Sequence, residues 1–356
     1  MGVAVSKSGD PTQGWHYFWW DVAAHWNEPG TVYKQGDKSD YPVIGVDPRG
    51  FHLQNPVLDP SNNLRYTRIN IVPADVMANA VPCPPADDSR PSLYPRIFGW
   101  TFYDLQGPDG KAVKAQLTPL VHHGVTKRAY YASFHGRDAL LVWVVTGAGK
   151  PHPQLKRWSL AIRRLNDTVN AKQLGSAALV TLGNVANIIL QGVYRAPHLL
   201  LGALDGQTFG TATPLAAVRL IRVPVSSNSG NPLAADLDIS FGLRTASDAA
   251  NARSHYYFPA VEVNSKGDAA IVFGRSGDAL APEIRYSAWY HREGHPRPSM
   301  LVKATGHAYT NGLQPDIVGA ALDPSDDAIW FAFPYPNAKG GYDISVSRVF
   351  GRARPD

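Results

Sequence analysis

Two carboxyl groups placed on either side of a bond can divide acid and base work between them. Asp40, Glu283 and Asp316 are the acids whose surroundings could form such a pair. Each lies at the start of an apolar run or in a short loop between two such runs. Asp40 could pair with either of the other two, and the sequence leaves that choice open. Arg275 adds a guanidinium, whose planar fork of donors suits a carboxylate or another oxyanion. Tyr41, His152, Arg253, Tyr256 and Tyr335 stand at matching positions, with rings and a charge that could hold a substrate.

Other groupings of reactive residues point to structure instead. His122 and His123 are adjacent, and neighbours on a strand face opposite sides, so they would not share one metal. His291 and His295 are four apart, a useful spacing only on a helix, and Gly294 and Pro296 beside them argue for a loop. Asp323, Asp326 and Asp327 have the charge of a calcium loop without its graded series of oxygen donors, so a solvated turn is expected. No HExxH, GxSxG, phosphate-loop or GxGxxG context is present, which removes support for nucleotide-binding or metalloprotease chemistry. No metal and no cofactor is expected. The lone cysteine, Cys83, cannot close an intrachain disulfide.

Strands must position these residues. Hydrophobic residues make up 44% of the chain, so a core can form, while 32 glycines and 29 prolines disfavour a helix bundle. Five segments repeat one pattern of apolar strand, tight polar turn and apolar strand. Their turns are Asp47-Pro48-Arg49-Gly50, His135-Gly136-Arg137-Asp138, Asp205-Gly206, Asn264 to Asp268 and Asp323 to Asp327. From 205 to 264 and from 264 to 323 is 59 residues each, room for four short strands and their connections. That is the size of one β-propeller blade. The expected fold is an all-β propeller of four-stranded antiparallel blades, six in number, with five or seven also allowed. It would form one domain over residues 1–356, its N- and C-terminal strands sharing a blade. In such a ring the recurring turns fall on the face away from the functional mouth.

The run Trp15-His16-Tyr17-Phe18-Trp19-Trp20 would pack between blades, although tryptophan faces can also stack on sugars. The net charge is +5 and the basic residues are scattered, which gives no footprint for nucleic acid. No apolar stretch is long enough to span a membrane as a helix. The first residues lack a signal-peptide pattern, so the expectation is an intracellular protein or a chain that starts after a removed segment.

Val3 to Thr12 followed by Gly14-Trp15, then Asp40 to Asp47, and again Tyr257 to Phe273, resemble a bacterial family of sialidase-like β-propellers. Ser8 to Trp15 is similar to the Asp box of sialidases, with its Gly and Trp displaced along the chain. The resemblance covers most of the chain except 73–127. It implies an exported or cell-surface protein that acts on or binds glycans at the channel mouth, as a glycoside hydrolase or a polysaccharide lyase. It also allows a non-catalytic propeller that binds a protein partner or serves as a scaffold. A sialidase would need three arginines around a substrate carboxylate. Arg253 and Arg275 could be two of them, and no third is evident.

Overall fold

The computed structural model describes residues 2–8, 10–19, 36–39, 42–47, 49–74, 100–103, 105–113, 115–124, 126–148, 150, 152–182, 187–208, 214–241, 254–310 and 318–350. Among them the regular elements are strands, apart from one 3-10 turn at Pro11–Gln13. The chain is all-β, built from small antiparallel sheets.

In chain order, β1 (Gly2–Ser6) and β2 (Trp15–Trp19) form a hairpin. β3 (Lys38–Ser39) and β4 (Val43–Asp47) share one edge of β5 (Gly50–Leu58), which leads on to β6 (Leu64–Pro73) and β7 (Trp100–Phe102). β8 (Thr118–Pro119) and β9 (Val121–His123) are short. β8 forms a sheet with β10 (Arg128–His135), β11 (Ala139–Thr146) and β12 (Gln154–Ala161). A small hairpin, β13 (Ala171–Gln173) and β14 (Ser176–Val180), comes next.

Then β15 (Ile189–Arg195), β16 (His198–Gln207), β17 (Leu215–Pro224) and β18 (Leu237–Phe241) pair successively. β19 (Ser254–Val263), β20 (Ala269–Gly277), β21 (Leu280–Trp289) and β22 (Met300–Ala304) do the same. β23 (Gly319–Leu322), β24 (Ile329–Pro336) and β25 (Tyr342–Val349) close the series. Two compact units result: residues 1–131 with 143–157, and residues 132–142 with 158–356.

Burial explains the strand sequences of the second unit. β19 and β20 are buried at every position and read as near-continuous apolar runs, as strands covered on both faces do. One cluster packs Val193, Leu200, Val218 and Leu220 against Val261, Ile271 and Phe273. Another packs Val272 and Ile284 against Phe331 and Phe333. Edge strand β25 is exposed over Tyr342, Ile344 and Val346.

Four of the five expected turns lie between strands, and in three of them a carboxylate or amide caps backbone N–H groups, as Asp47 Oδ1 does for Arg49 at 2.7 Å. Asn264 Oδ1 accepts from the N–H of Lys266 and Asp268 at 3.0 and 2.9 Å. Asp323 Oδ1 accepts from the N–H of Ser325 at 2.9 Å. Asp326 pairs with Arg348, and Asp327 Oδ1 accepts from the Ser265 N–H. In the Ser8 to Trp15 segment, Asp10 Oδ1 accepts from the Thr12 N–H at 2.9 Å on the exposed surface.

The fifth turn is corrected. Asp205 and Gly206 lie inside β16, opposite Ala217 and Ala216, and the hairpin turn falls at the cis Ala196–Pro197 bond. Asp205 is fully buried because it anchors a crossing segment. It accepts from Asn166 N–H, Gly206 N–H, Arg163, Gln207 and Ser240 at 2.7–3.0 Å. Gly206 is required there, since a Cβ would sit 2.0 Å from the Asp167 carbonyl oxygen.

Candidate functional site

Arg275 on β20 stands directly opposite Glu283 on β21 and Tyr256 on β19. Facing residues in such a ladder lie about 5 Å apart at Cβ, which lets a long side chain bridge them. Arg275 Nε comes within 2.6 Å of Glu283 Oε1, and both residues are 8% exposed. Arg285 lies two residues along β21, on the same face as Glu283. Its Nη1 donates to the same Oε1 at 2.9 Å. Ser299 fixes Arg285 in turn, accepting on Oγ and on its carbonyl oxygen at 2.8 Å each.

Two guanidiniums thus converge on one oxygen of one carboxylate. Among the described residues Glu283 Oε2 takes no partner, which leaves an acceptor for something else. Tyr257, in the same sheet, is fully buried, with Ser276 as the polar group near its hydroxyl. Burial raises its phenol above the usual range, and the Glu283 charge adds to that. Gly274 makes room for its ring, because a Cβ there would lie 2.2 Å from Tyr257 Cε2.

The hairpin β13–β14 is bonded over the turn end of this sheet. Leu174 N–H donates to the Leu280 carbonyl at 3.1 Å, and Ser276 Oγ donates to the Lys172 carbonyl at 2.6 Å. Lys172 pairs with Asp278 at 3.2 Å. The Gln173 amide grips the Tyr309 backbone at both ends, donating to its carbonyl and accepting its N–H at 2.8 Å each.

Of the sequence-predicted residues, Glu283 and Arg275 are therefore brought together. Tyr256 is 4% exposed, and its ring packs on Phe273 in the core. Tyr335, on β24, is half-buried with Lys303 Nζ 5.4 Å from its ring centre. His152 belongs to the first unit, exposed and edge-on to Trp100 at 5.2 Å. Asp40, Tyr41, Arg253 and Asp316 lie outside the described residues. Arg285 and Tyr257 were missed. The alternation of Glu283 and Arg285 along one strand was the available signal for the first, and nothing in the sequence singles out the second.

The first unit holds a second ionisable cluster. Asp47, its side chain wholly buried, approaches Arg49 Nη2 at 2.5 Å, His52 Nε2 at 3.2 Å and His122 Nδ1 at 3.8 Å. Burial alone would raise its carboxyl. The polar groups of His122, His52 and Arg49 turned towards it overcome that and hold it well below the usual carboxylate range. His52 Nδ1 meets the Tyr131 hydroxyl at 2.7 Å, and His122 Nε2 accepts the Tyr130 N–H at 3.1 Å. His52, His122 and Tyr131 are 2%, 7% and 0% exposed, so the cluster locks the β4–β5 turn to β9 and β10 and offers no access to substrate. Among the described residues no group of three His, Cys, Asp or Glu is arranged to hold a metal ion, and no helix is long and apolar enough to cross a membrane.

No protein-family model and no curated protein matches the chain. Among solved structures it is similar to one described as a glycoside hydrolase, at 10% identity over 91% of each chain, with a TM-score of 0.37. It is similar to the α-L-arabinanase of Penicillium chrysogenum, solved with arabinobiose, at 9% identity over 88% of this chain and 79% of that one, with a TM-score of 0.44. It is also similar to the sialidase of Trypanosoma rangeli, solved with the inhibitor DANA, at 9% identity. That match covers 89% of this chain and 49% of that one, with a TM-score of 0.40.

Proposed function

We propose that the protein is a single-domain β-propeller that acts on or binds glycans outside the cell or at its surface. Its site is centred on Arg275, Glu283 and Arg285. Asp316, Arg253 and Tyr335, which belong to the same unit, supply further contacts to the substrate. The observation that carries this reading is Glu283. A nearly buried carboxylate is held by two guanidiniums on Oε1 while Oε2 takes no partner among the described residues, an arrangement suited to accepting a substrate hydroxyl in a fixed direction.

The alternative is a non-catalytic glycan-binding or scaffold propeller. It is favoured by the same geometry, since Arg275 and Arg285 already engage Glu283 as they would a carboxylate that holds a binding surface in shape. A glycan panel scored for both binding and turnover separates the two, with the wild type beside Glu283→Gln. Turnover lost in a variant that still binds establishes the enzyme. Wild-type binding without turnover establishes the binding protein. Neither binding nor turnover across the panel refutes the glycan reading.

A further inference from the structure

The opposite end of the same strands carries a different feature. A cleft of about 320 Å3 opens beside the β15–β16 turn, the β19–β20 turn and the end of β21. Arg195, His198, Arg222, Lys266 and His291 line it, together with Trp289, and no carboxylate does. From Glu283 to Trp289 is six residues of extended strand, about 20 Å, so the cleft is separate from the site above.

The acids stand one layer back and orient the bases. Asp236 Oδ1 accepts from Arg222 Nε at 2.9 Å, and Oδ2 lies 3.9 Å from His198 Nε2. Asp268 Oδ1 accepts the His291 N–H at 3.0 Å and lies 3.0 Å from its Nδ1. Asp327 is occupied by the N–H and hydroxyl of Ser265 at 2.8 and 2.6 Å. The Arg222 guanidinium carbon lies over the Trp289 ring, 5.0 Å from its centre, which fixes that wall.

Two cations keep donors that no hydrogen bond among the described residues uses. Arg195 is half-buried, and its Nε donates to the Val263 carbonyl at 3.1 Å, which aims the guanidinium. Its terminal nitrogens donate to nothing among the described residues, and burial pushes it below its usual value against the pull of the Asp327 and Glu262 charges. Lys266 reaches the cleft from the β19–β20 turn with its ammonium unpaired among the described residues.

We propose that this cleft binds the oxyanion group of a small ligand, a carboxylate or a phosphate or sulfate ester carried on a body of about one sugar ring. Arg195 is the fork that grips the oxyanion, and Lys266 supplies the second charge. The volume is at the small end of ligand sites, which span roughly 300–1,000 Å3.

Calorimetric titration of the full chain at fixed ionic strength tests this with four probes: inorganic phosphate, glucose 6-phosphate, glucuronate and glucose. At least one anion binds with a Kd of about 1 mM or tighter, and glucose does not. Tighter binding of glucose 6-phosphate or glucuronate than of free phosphate identifies the ester or the carboxylate as the group read. Arg195→Gln weakens the best probe about tenfold, the scale of one lost hydrogen bond to a charged group. Lys266→Glu, on an exposed side chain that folding does not need, weakens it at least threefold. The proposal is overturned if no anion binds at 10 mM (roughly tenfold above the expected Kd). It is equally overturned if glucose matches the anions, or if Lys266→Glu leaves the affinity unchanged.

Discussion

Two buried histidines make the fold sensitive to mild acid. His122 Nε2 accepts the Tyr130 N–H at 3.1 Å, and His255 Nδ1 accepts the Ala216 N–H at 3.2 Å. A protonated ring nitrogen cannot accept, so charging either ring breaks its bond and places a cation in a dry site. Burial accordingly pushes both down to about 4 from an ordinary value of 6.5. The unfolded chain then binds protons that the folded one refuses, so stability is full above about pH 6.5 and falls as pH drops towards 4. At pH 5 the loss is about 2 kcal/mol for each histidine, or about 4 for both. Urea unfolding followed by tryptophan fluorescence at pH 7 and pH 5 measures it. His122→Gln with His255→Asn keeps an oxygen acceptor and removes the titration, so the double variant should show a much flatter pH dependence. Equal midpoints for the wild type at the two pH values would refute the reasoning, as would a double variant that loses as much as the wild type.

Asp205→Ala should cost about 3–5 kcal/mol, because it strips a counter-charge from the fully buried Arg219, 3.7 Å away, and orphans several donors. A thermal melt that shifts by less than 1 °C would contradict this. Gly274→Ala forces a methyl into the Tyr257 ring and within 3.0 Å of Phe333 Cζ, an overpacking worth about 1–3 kcal/mol. Denaturant midpoints report it, and an unmoved midpoint would mean that the ring shifts freely. Glu283→Gln keeps the shape of the Arg275–Glu283–Arg285 group and removes its only anion, so the melting temperature should fall even where no ligand is added, by an amount set by two nearly buried cations.

The β class was legible because β10, β11, β19 and β20 are apolar runs bounded by Asn, Asp and Gly, and only strands packed on both faces use such runs. Asp205-Gly206 misled because the same dipeptide that makes a hairpin turn also makes a buried anchor with a close backbone approach. Only the crossing segment at Asn166 and Asp167 tells the two apart, and it is 38 or more residues away in sequence. Asp47 misled in a related way. Its turn was read correctly, but the carboxylate points inward to His52 and His122, partners that local sequence does not reveal. Arg275 and Glu283 were singled out as loop residues, and their meeting depends on ladder register, which is set by pairing along the whole of β20 and β21. The basic cleft gave no sequence signal, since its side chains come from three separate turns and strand ends.

The β13–β14 hairpin has a kinetic consequence. A ligand that approaches Glu283 from the β20–β21 turn meets a strap held by Leu174, Lys172 and the double grip of Gln173 on Tyr309. Its arrival there would be timed by how often that strap lets go and would stop rising with ligand concentration once opening became the slow step. The basic cleft, which no such strap crosses among the described residues, would fill at a rate set by diffusion.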